Sequence, residues 1–280
     1  MRCQWQSVRN ILPSWIRPEV DKLDPGTVEE LRFRVNQPPE VVCTYGIRWL
    51  RQKIVKSDLE FIINLASKYS PWSTNSLSRG YITIQGGHRL GICGTVLQSC
   101  GKVIGINPVL SICVRVAKDI DGISGPLVRL AGSVLIIGKP GSGKTTLLRD
   151  LIRSKSDQEK CHVGVVDEKA ELFPEIHGEF CFPCGARVDV ISGISKENGI
   201  GFLVRNMNPD IIAVDEITAE ADSDALVRAA WCGVNLFATA HAASKEDLQM
   251  RPAYRPILEN RIFDYLVVMQ AGKKFTVERM

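Results

Sequence analysis

Apolar and polar positions change their spacing once along this chain, near residue 120. Before that point short segments alternate with period two. Leu31-Arg32-Phe33-Arg34-Val35 sets apolar side chains on one side and arginines on the other, as a half-buried strand does. Pro38-Pro39 breaks it, and Val41 to Tyr45 resumes extended structure. Ser57-Asp58-Leu59-Glu60 reads as a capping box, and Leu59, Ile62, Ile63 and Ala66 follow at helical spacing, with a stop expected before Pro71. Tyr81 to Gln85, the turn Gly86-Gly87 and His88 to Leu97 predict a β-hairpin. A strand over Val109 to Val116 ends this part. The pattern predicts a small α+β domain over residues 1–118 and a Gly/Ser/Pro-bearing linker over 119–132.

From 133 to 280 strands are apolar throughout and alternate with helices. Ser133 to Ile137, His162 to Val166, Ile211 to Val214, Leu236 to Ala240 and Tyr265 to Gln270 read as buried strands. A helix runs to about Arg153, and another over Asp222 to Cys232 closes at Gly233. Such a series predicts an α/β domain with a parallel sheet covered on both faces.

Between the first of those strands and its helix lies Gly138-Lys139-Pro140-Gly141-Ser142-Gly143-Lys144-Thr145, which fits G-x-x-x-x-G-K-[ST] at every fixed position. Glycines there let backbone N–H groups face phosphate oxygens at a helix N-terminus. Lys144 is expected to reach the β and γ phosphates, and Thr145 to hold Mg²⁺. The strand Ile211 to Val214 delivers Asp215 and Glu216 to the carboxyl end of the sheet. Asp215 suits the Mg²⁺ side, and Glu216 suits a base that deprotonates the attacking water. Asp167-Glu168 repeats the arrangement on another strand, with Glu171 close behind, and suggests a second water or Mg²⁺ contact. His241, at the end of Ala238-Thr239-Ala240, is placed to sense a γ-phosphate.

Composition adds limits. The chain is 45% hydrophobic and 24% charged, an ordinary globular balance that excludes a largely disordered chain. A net charge of +4, with no stripe of interleaved basic and aromatic residues, gives no reason to expect nucleic acid. Apolar runs are strand-sized, and MRCQWQSVRN has no signal-peptide core. A cytoplasmic chain that meets membranes through partners, without inserting, is therefore expected. Nine scattered cysteines suit a reducing compartment. Cys181-Phe182-Pro183-Cys184 is a lone C-x-x-C; zinc would need two more ligands, such as Cys161 and His162, and ordinary loop cysteines are the preferred reading.

In order along the chain stand GKPGSGKTTLLRD, VVDEKAEL, GARVDVISG, RNMNPDIIAVDEIT and ATAHA. This series resembles the type II/type IV secretion ATPase superfamily. LRFRVNQPPEV with GGHRLGICGTVL narrows the resemblance to the stage III sporulation protein AA family of endospore-forming bacteria, and ILPSWIRPEV and LSICVRVAKDI extend it over nearly the whole chain. The resemblance implies a RecA-like P-loop ATPase domain with a smaller N-terminal α+β domain. It carries the P-loop onto Gly138 through Thr145 and Thr146, the acidic box onto Asp167-Glu168, Walker B onto Asp215-Glu216 and the histidine box onto His241. It implies ATP and Mg²⁺ as ligands and a ring, usually a hexamer, at the cytoplasmic base of a membrane-spanning assembly linking mother cell and forespore. Membrane proteins of that channel are the implied partners. Arg89 and Arg115 match arginines that secretion ATPases bring over nucleotide at the ring interface. Thr218 departs from the glycine usual after D-E-I, and the C-x-x-C is not a family feature.

Other P-loop classes fit less well. No N-K-x-D guanine signature occurs, which disfavours a GTPase. A water-activating Glu beside the Mg²⁺ carboxylate suits hydrolysis better than small-molecule phosphorylation. A RecA-like DNA motor and a non-hydrolytic ring locked by ATP are the remaining alternatives.

Overall fold

Alternation in the first part of the chain folds as an antiparallel sheet of six strands. These are β1 (Val28–Arg34), β2 (Glu40–Cys43), β3 (Gly46–Trp49), β4 (Tyr81–Ile84), β5 (His88–Ser99) and β6 (Lys102–Arg115), in the order β3-β2-β1-β6-β5-β4. The computed structural model describes residues 3–67, 80–176, 178–270 and 274–280. On β1 Leu31 and Phe33 are buried while Glu30, Arg32 and Arg34 stay partly exposed, as their alternation requires. Their buried face joins Val41, Leu90, Ile112 and Val114 in one core, closed by Leu59, Ile62 and Ile63 of helix Lys56–Ala66.

That helix is capped differently from the expected Ser57/Glu60 box. It begins two residues earlier, and the backbone N–H of Val55 donates to Asp58 Oδ2 at 3.0 Å. The short Asp58 carboxylate sits where an acidic group best satisfies a first-turn donor, and it also accepts from Trp15 Nε1 at 3.1 Å. The expected stop before Pro71 lies outside the described residues. Gly86 and Gly87 turn β4 into β5 with φ of 89° and 74°. Strand β6 is much longer than the predicted Val109 to Val116. Its first half pairs with β5 beyond the core, where Val96 and Ile104 are exposed, so no apolar alternation marks it.

The chain forms two compact units. One comprises Met1–Asp119 with Ile176–Cys181; the other comprises Ile120–Glu175 with Phe182–Met280. In the second, β7 (Val134–Ile137), β8 (Val163–Asp167), β11 (Val188–Ser192), β12 (Ile211–Ile217), β13 (Asn235–Ala240), β14 (Tyr265–Met269) and β15 (Phe275–Arg279) form a sheet ordered β11-β8-β12-β13-β7-β14-β15; the short β9 (Glu175–Ile176) and β10 (Glu179–Phe180) pair separately. All neighbours in the larger sheet are parallel except β14 and β15. Every residue of β7 and β8 is buried, as expected of strands covered on both faces. Helices Lys196–Met207 and Glu220–Trp231 bury Ile200, Leu203, Leu226 and Val227 in the core beside β12 and β13. Gly233, at φ 84°, ends the second of them as expected.

Residues 120–132, expected as a linker, belong to the second unit. A short helix, Gly125–Val128, buries Leu127 and Val128. Asp150, fully buried on helix Lys144–Gln158, holds this segment. Its oxygens accept the N–H of Gly122 at 3.0 Å and of Ser124 at 2.7 Å, and Arg153 Nη2 donates to it at 2.7 Å. Burial pushes the Asp150 carboxyl up, but Ser124, Arg153 and Gly122 outweigh it and hold it below the usual carboxylate range. A carboxyl lowered on folding stabilises the fold above its unfolded value, and that contribution fades as pH falls through the folded one. Asp150→Asn should therefore lose about 2–4 kcal/mol in urea unfolding at neutral pH, with a smaller deficit in acid. A loss under about 0.5 kcal/mol at neutral pH would contradict this role.

Candidate active site

The glycine-rich segment leaves β7 and winds directly into helix Lys144–Gln158. Gly141 and Gly143 take φ of 74° and 98°, which side chains rarely adopt. At Gly138 a Cβ would come within 2.6 Å of Ser142 Oγ and 2.8 Å of Met269 Cβ, so a glycine is required there by contact. Lys139, Pro140 and Gly141 are exposed, while Thr146 lies half-buried in the first helical turn. Lys144 is buried, and its Nζ donates to Gly138 O at 2.9 Å and Lys139 O at 3.1 Å. The loop thus folds around its own lysine. Burial pushes the Lys144 ammonium below its ordinary value, opposed by Asp215 and Glu216.

Strand order sets what meets this loop. β13 lies between β7 and β12, so its carboxyl end stands between the P-loop and the acidic strand. In the register of β12 with β13, Val214 pairs with Ala238 and Ile217 with Ala240. Asp215 and Glu216 therefore share the space opposite Thr239, a β-bulge. Glu216 takes φ 58° there. The buried Thr239 hydroxyl fills the bulge: it donates to Asp215 Oδ1 at 2.6 Å and accepts the N–H of Glu216 at 2.7 Å. Asp215 Oδ2 accepts from Thr145 Oγ1 at 2.8 Å. Burial pushes the Asp215 carboxyl above its usual range, and the two threonine hydroxyls oppose that shift.

A second path runs from the same lysine. Lys144 Nζ lies 3.1 Å from His241 Nδ1, and His241 Nε2 lies 3.0 Å from Glu216 Oε1. An ammonium can only donate, so Nδ1 accepts and Nε2–H donates to the carboxylate. Tyr254 Oη accepts the backbone N–H of His241 at 3.2 Å. Glu216 Oε2 accepts from Lys169 Nζ at 2.5 Å. Burial pushes the Glu216 carboxyl up, but Lys169 and then His241 outweigh it and hold it below its ordinary value.

Of the other expected residues, Asp167 serves its own loop: its oxygens accept the N–H groups of Glu171 and Phe173, both at 2.8 Å. Glu168 Oε2 pairs with the buried Lys196 at 2.6 Å. Arg89 and Arg115 belong to the first unit, where they face each other in the register of β5 and β6. The Arg89 guanidinium stacks over the Tyr81 ring at 3.6 Å, and Arg115 is exposed. Cys181 and Cys184 are free thiols, and among the described residues no group of three or more His, Cys, Asp or Glu forms a metal set. Thr239, Lys169 and Tyr254 were not singled out by the sequence. Thr239 alone left a signal there, as the one hydroxyl in an otherwise apolar strand end.

The residues present fit a nucleotide and Mg²⁺. Ser142 Oγ is buried in the loop without a hydrogen-bond partner among the described residues, as a phosphate cradle leaves its donors. Thr145 and Asp215 offer adjacent hard oxygen atoms, the one or two protein ligands Mg²⁺ commonly takes when phosphates and water supply the rest.

Residues 3–278 match the family described as Sporulation stage III, protein AA. The chain is 36% identical over 264 residues to Stage III sporulation protein AA of Bacillus subtilis (strain 168), covering 90% of this chain and 86% of that one. Among solved structures, the pilus retraction motor PilT with bound ADP aligns at a TM-score of 0.63 and 16% identity, covering 95% of this chain and 81% of that one. The Legionella pneumophila ATPase DotB aligns at 0.58 and 15% identity, covering 90% and 76%. At those identities the likeness is one of fold, and the α/β, RecA-like architecture expected from the sequence is the one observed. The family match spans both compact units, and the chain belongs to the Sporulation stage III, protein AA family.

Proposed function

We propose that this chain is a Mg²⁺-dependent ATP hydrolase, active as an oligomeric ring, that powers or assembles a secretion-like channel between mother cell and forespore. The observation that carries the hydrolase is the double junction at the P-loop: Thr145 on Asp215, and Lys144 through His241 to Glu216. Binding would exchange the contacts of Lys144 with Gly138 O, Lys139 O and His241 for contacts with phosphate oxygens. Bound Mg²⁺ would supply positive charge to those oxygens from a place held by Thr145 and Asp215. Glu216, ionised and reached by His241, would take the proton of the attacking water as the bond to the γ-phosphoryl forms. Glu168 stays a candidate for a second water contact through the oxygen Lys196 leaves. The likeness to a sporulation protein and, in fold, to a pilus retraction motor supports this reading. Among the described residues no helix is long and apolar enough to cross a membrane. The membrane proteins of the channel are the proposed partners.

Lys144→Ala should abolish tight ATP binding, measured by calorimetry. Glu216→Gln should bind ATP normally and turn over ~10²–10⁴-fold more slowly. Near-normal hydrolysis by either variant would remove the proposed chemistry from this site.

The ring makes a separate prediction. Lys144 is the P-loop lysine placed to meet the phosphates, and P-loop enzymes commonly add an arginine worth ~10³–10⁵ in rate, in cis or in trans. Arg115 and Arg89 are the proposed donors, across a subunit boundary. Arg115→Ala should keep ATP affinity and lose turnover, and mixing it with Lys144→Ala should restore activity at interfaces holding both groups. Turnover independent of protein concentration and unchanged by either arginine substitution would mean that one chain completes the site.

A further inference from the structure

Both oxygens of Glu216 are held, and one of the two holders carries no role in the motifs read from the sequence. His241 follows the end of β13. Lys169 is 47 positions from Glu216 in sequence, on the loop that follows β8, and its Nζ reaches Oε2 at 2.5 Å. That loop is fastened without help from Glu216. Asp167 gathers the N–H groups of Glu171 and Phe173, and Arg149 donates to Leu172 O at 2.6 Å and Glu171 O at 2.8 Å. Ala170 is held at φ 51°. Lys169 thus reaches Glu216 from a braced support.

An ion pair as exposed as this one adds little to stability. Its consequence is directional. Glu216 sits at φ 58° in a bulge, so its backbone already departs from the pleat, and its carboxylate still has three side-chain torsions to settle. With one oxygen on His241 and the other on Lys169, the carboxylate plane is fixed. We propose that Lys169 is a positioning residue for hydrolysis, which acts through Glu216 by fixing the orientation of its carboxylate toward the attacking water. This rests on the reading of Glu216 as the base.

The groups that face Glu216 are few. His241 comes from the end of β13, Lys144 stands behind it on the P-loop helix, and Asp215 precedes it in the chain. Tyr254 approaches from the turn Pro252–Tyr254, and Glu168 and Glu171 lie on the loop of Lys169 itself. Among them Lys169 is the strongest influence holding the carboxyl low.

Two measurements on the full chain test this. In nucleotide-free crystal structures, the Glu216 carboxylate should leave its orientation, or take several, in Lys169→Met and keep it in Lys169→Arg. A single, unchanged Glu216 orientation in Lys169→Met overturns the proposal, whether or not the chain hydrolyses ATP. In steady-state hydrolysis, Lys169→Met should lower kcat roughly tenfold with KM little changed, and Lys169→Arg should recover most of it. Added to Glu216→Gln, Lys169→Met should have no further effect, and a further loss would show that Lys169 acts elsewhere. Full turnover by Glu216→Gln alone would instead overturn the base assignment, and the Lys169→Met structure would still judge the pair.

Discussion

Thr239 is the side chain on which the geometry of this site depends. Consecutive residues of a regular strand point to opposite faces, so Asp215 and Glu216 could not both serve one place while β12 kept its pleat. The bulge breaks the alternation, and the extra backbone N–H it creates needs a partner inside a buried strand end. Thr239 supplies that partner and, with the same hydroxyl, orients Asp215. A non-glycine residue at φ 58° costs on the order of 1–3 kcal/mol, and persists only where the surroundings over-determine it. Here the N–H of Glu216 is tied to Thr239 and its two oxygens to His241 and Lys169.

From that bulge two paths lead back to the P-loop, and their electrostatics differ. The Asp215 path runs through hydroxyls in full burial, where charge is costly and the carboxyl is pushed up. The Glu216 path runs through His241 and cations at the half-exposed rim, where the carboxyl is held down. Neighbouring carboxylates in one chain thus acquire opposite tendencies. Lowered, Glu216 keeps the ionised form that can accept a proton, and a cation beside Asp215 would offset the cost of its burial.

Much of this was legible in the residues. Gly138 to Thr145, the apolar strands β7, β8, β12 and β13, and the acids at their ends follow from hydrophobic runs and fixed motif spacing. Three kinds of feature were not legible. Edge strands β11 and β15 lack a full apolar run, because only part of each is covered, and they were not expected. Helix Lys196–Met207 carries Gly199, which weakens its helical signal, yet a Cβ there would meet Val166 Cγ1 at 2.6 Å. Packing on β8 decided that residue, and packing does not appear in a local pattern. The partners of Asp167, Glu168 and Glu216 were hidden for a related reason. An acid at a strand end shows where a charge will stand, but whether Lys169, Lys196 or a loop N–H reaches it depends on contacts between segments far apart in sequence. The Asp58 cap differs only locally, as a choice between two nearby carboxyls.

The most direct test is a structure of the chain with a non-hydrolysable ATP analogue and Mg²⁺. The β and γ phosphates should lie over Gly141 to Lys144, with Lys144 Nζ moved off Gly138 O and His241 onto their oxygens. Thr145 and Asp215 should stand beside the metal ion, and a water should lie between Glu216 and the γ-phosphorus. Nucleotide bound elsewhere, or bound here with Lys144 still on its own loop and Glu216 remote from the γ-phosphate, would contradict the proposed function.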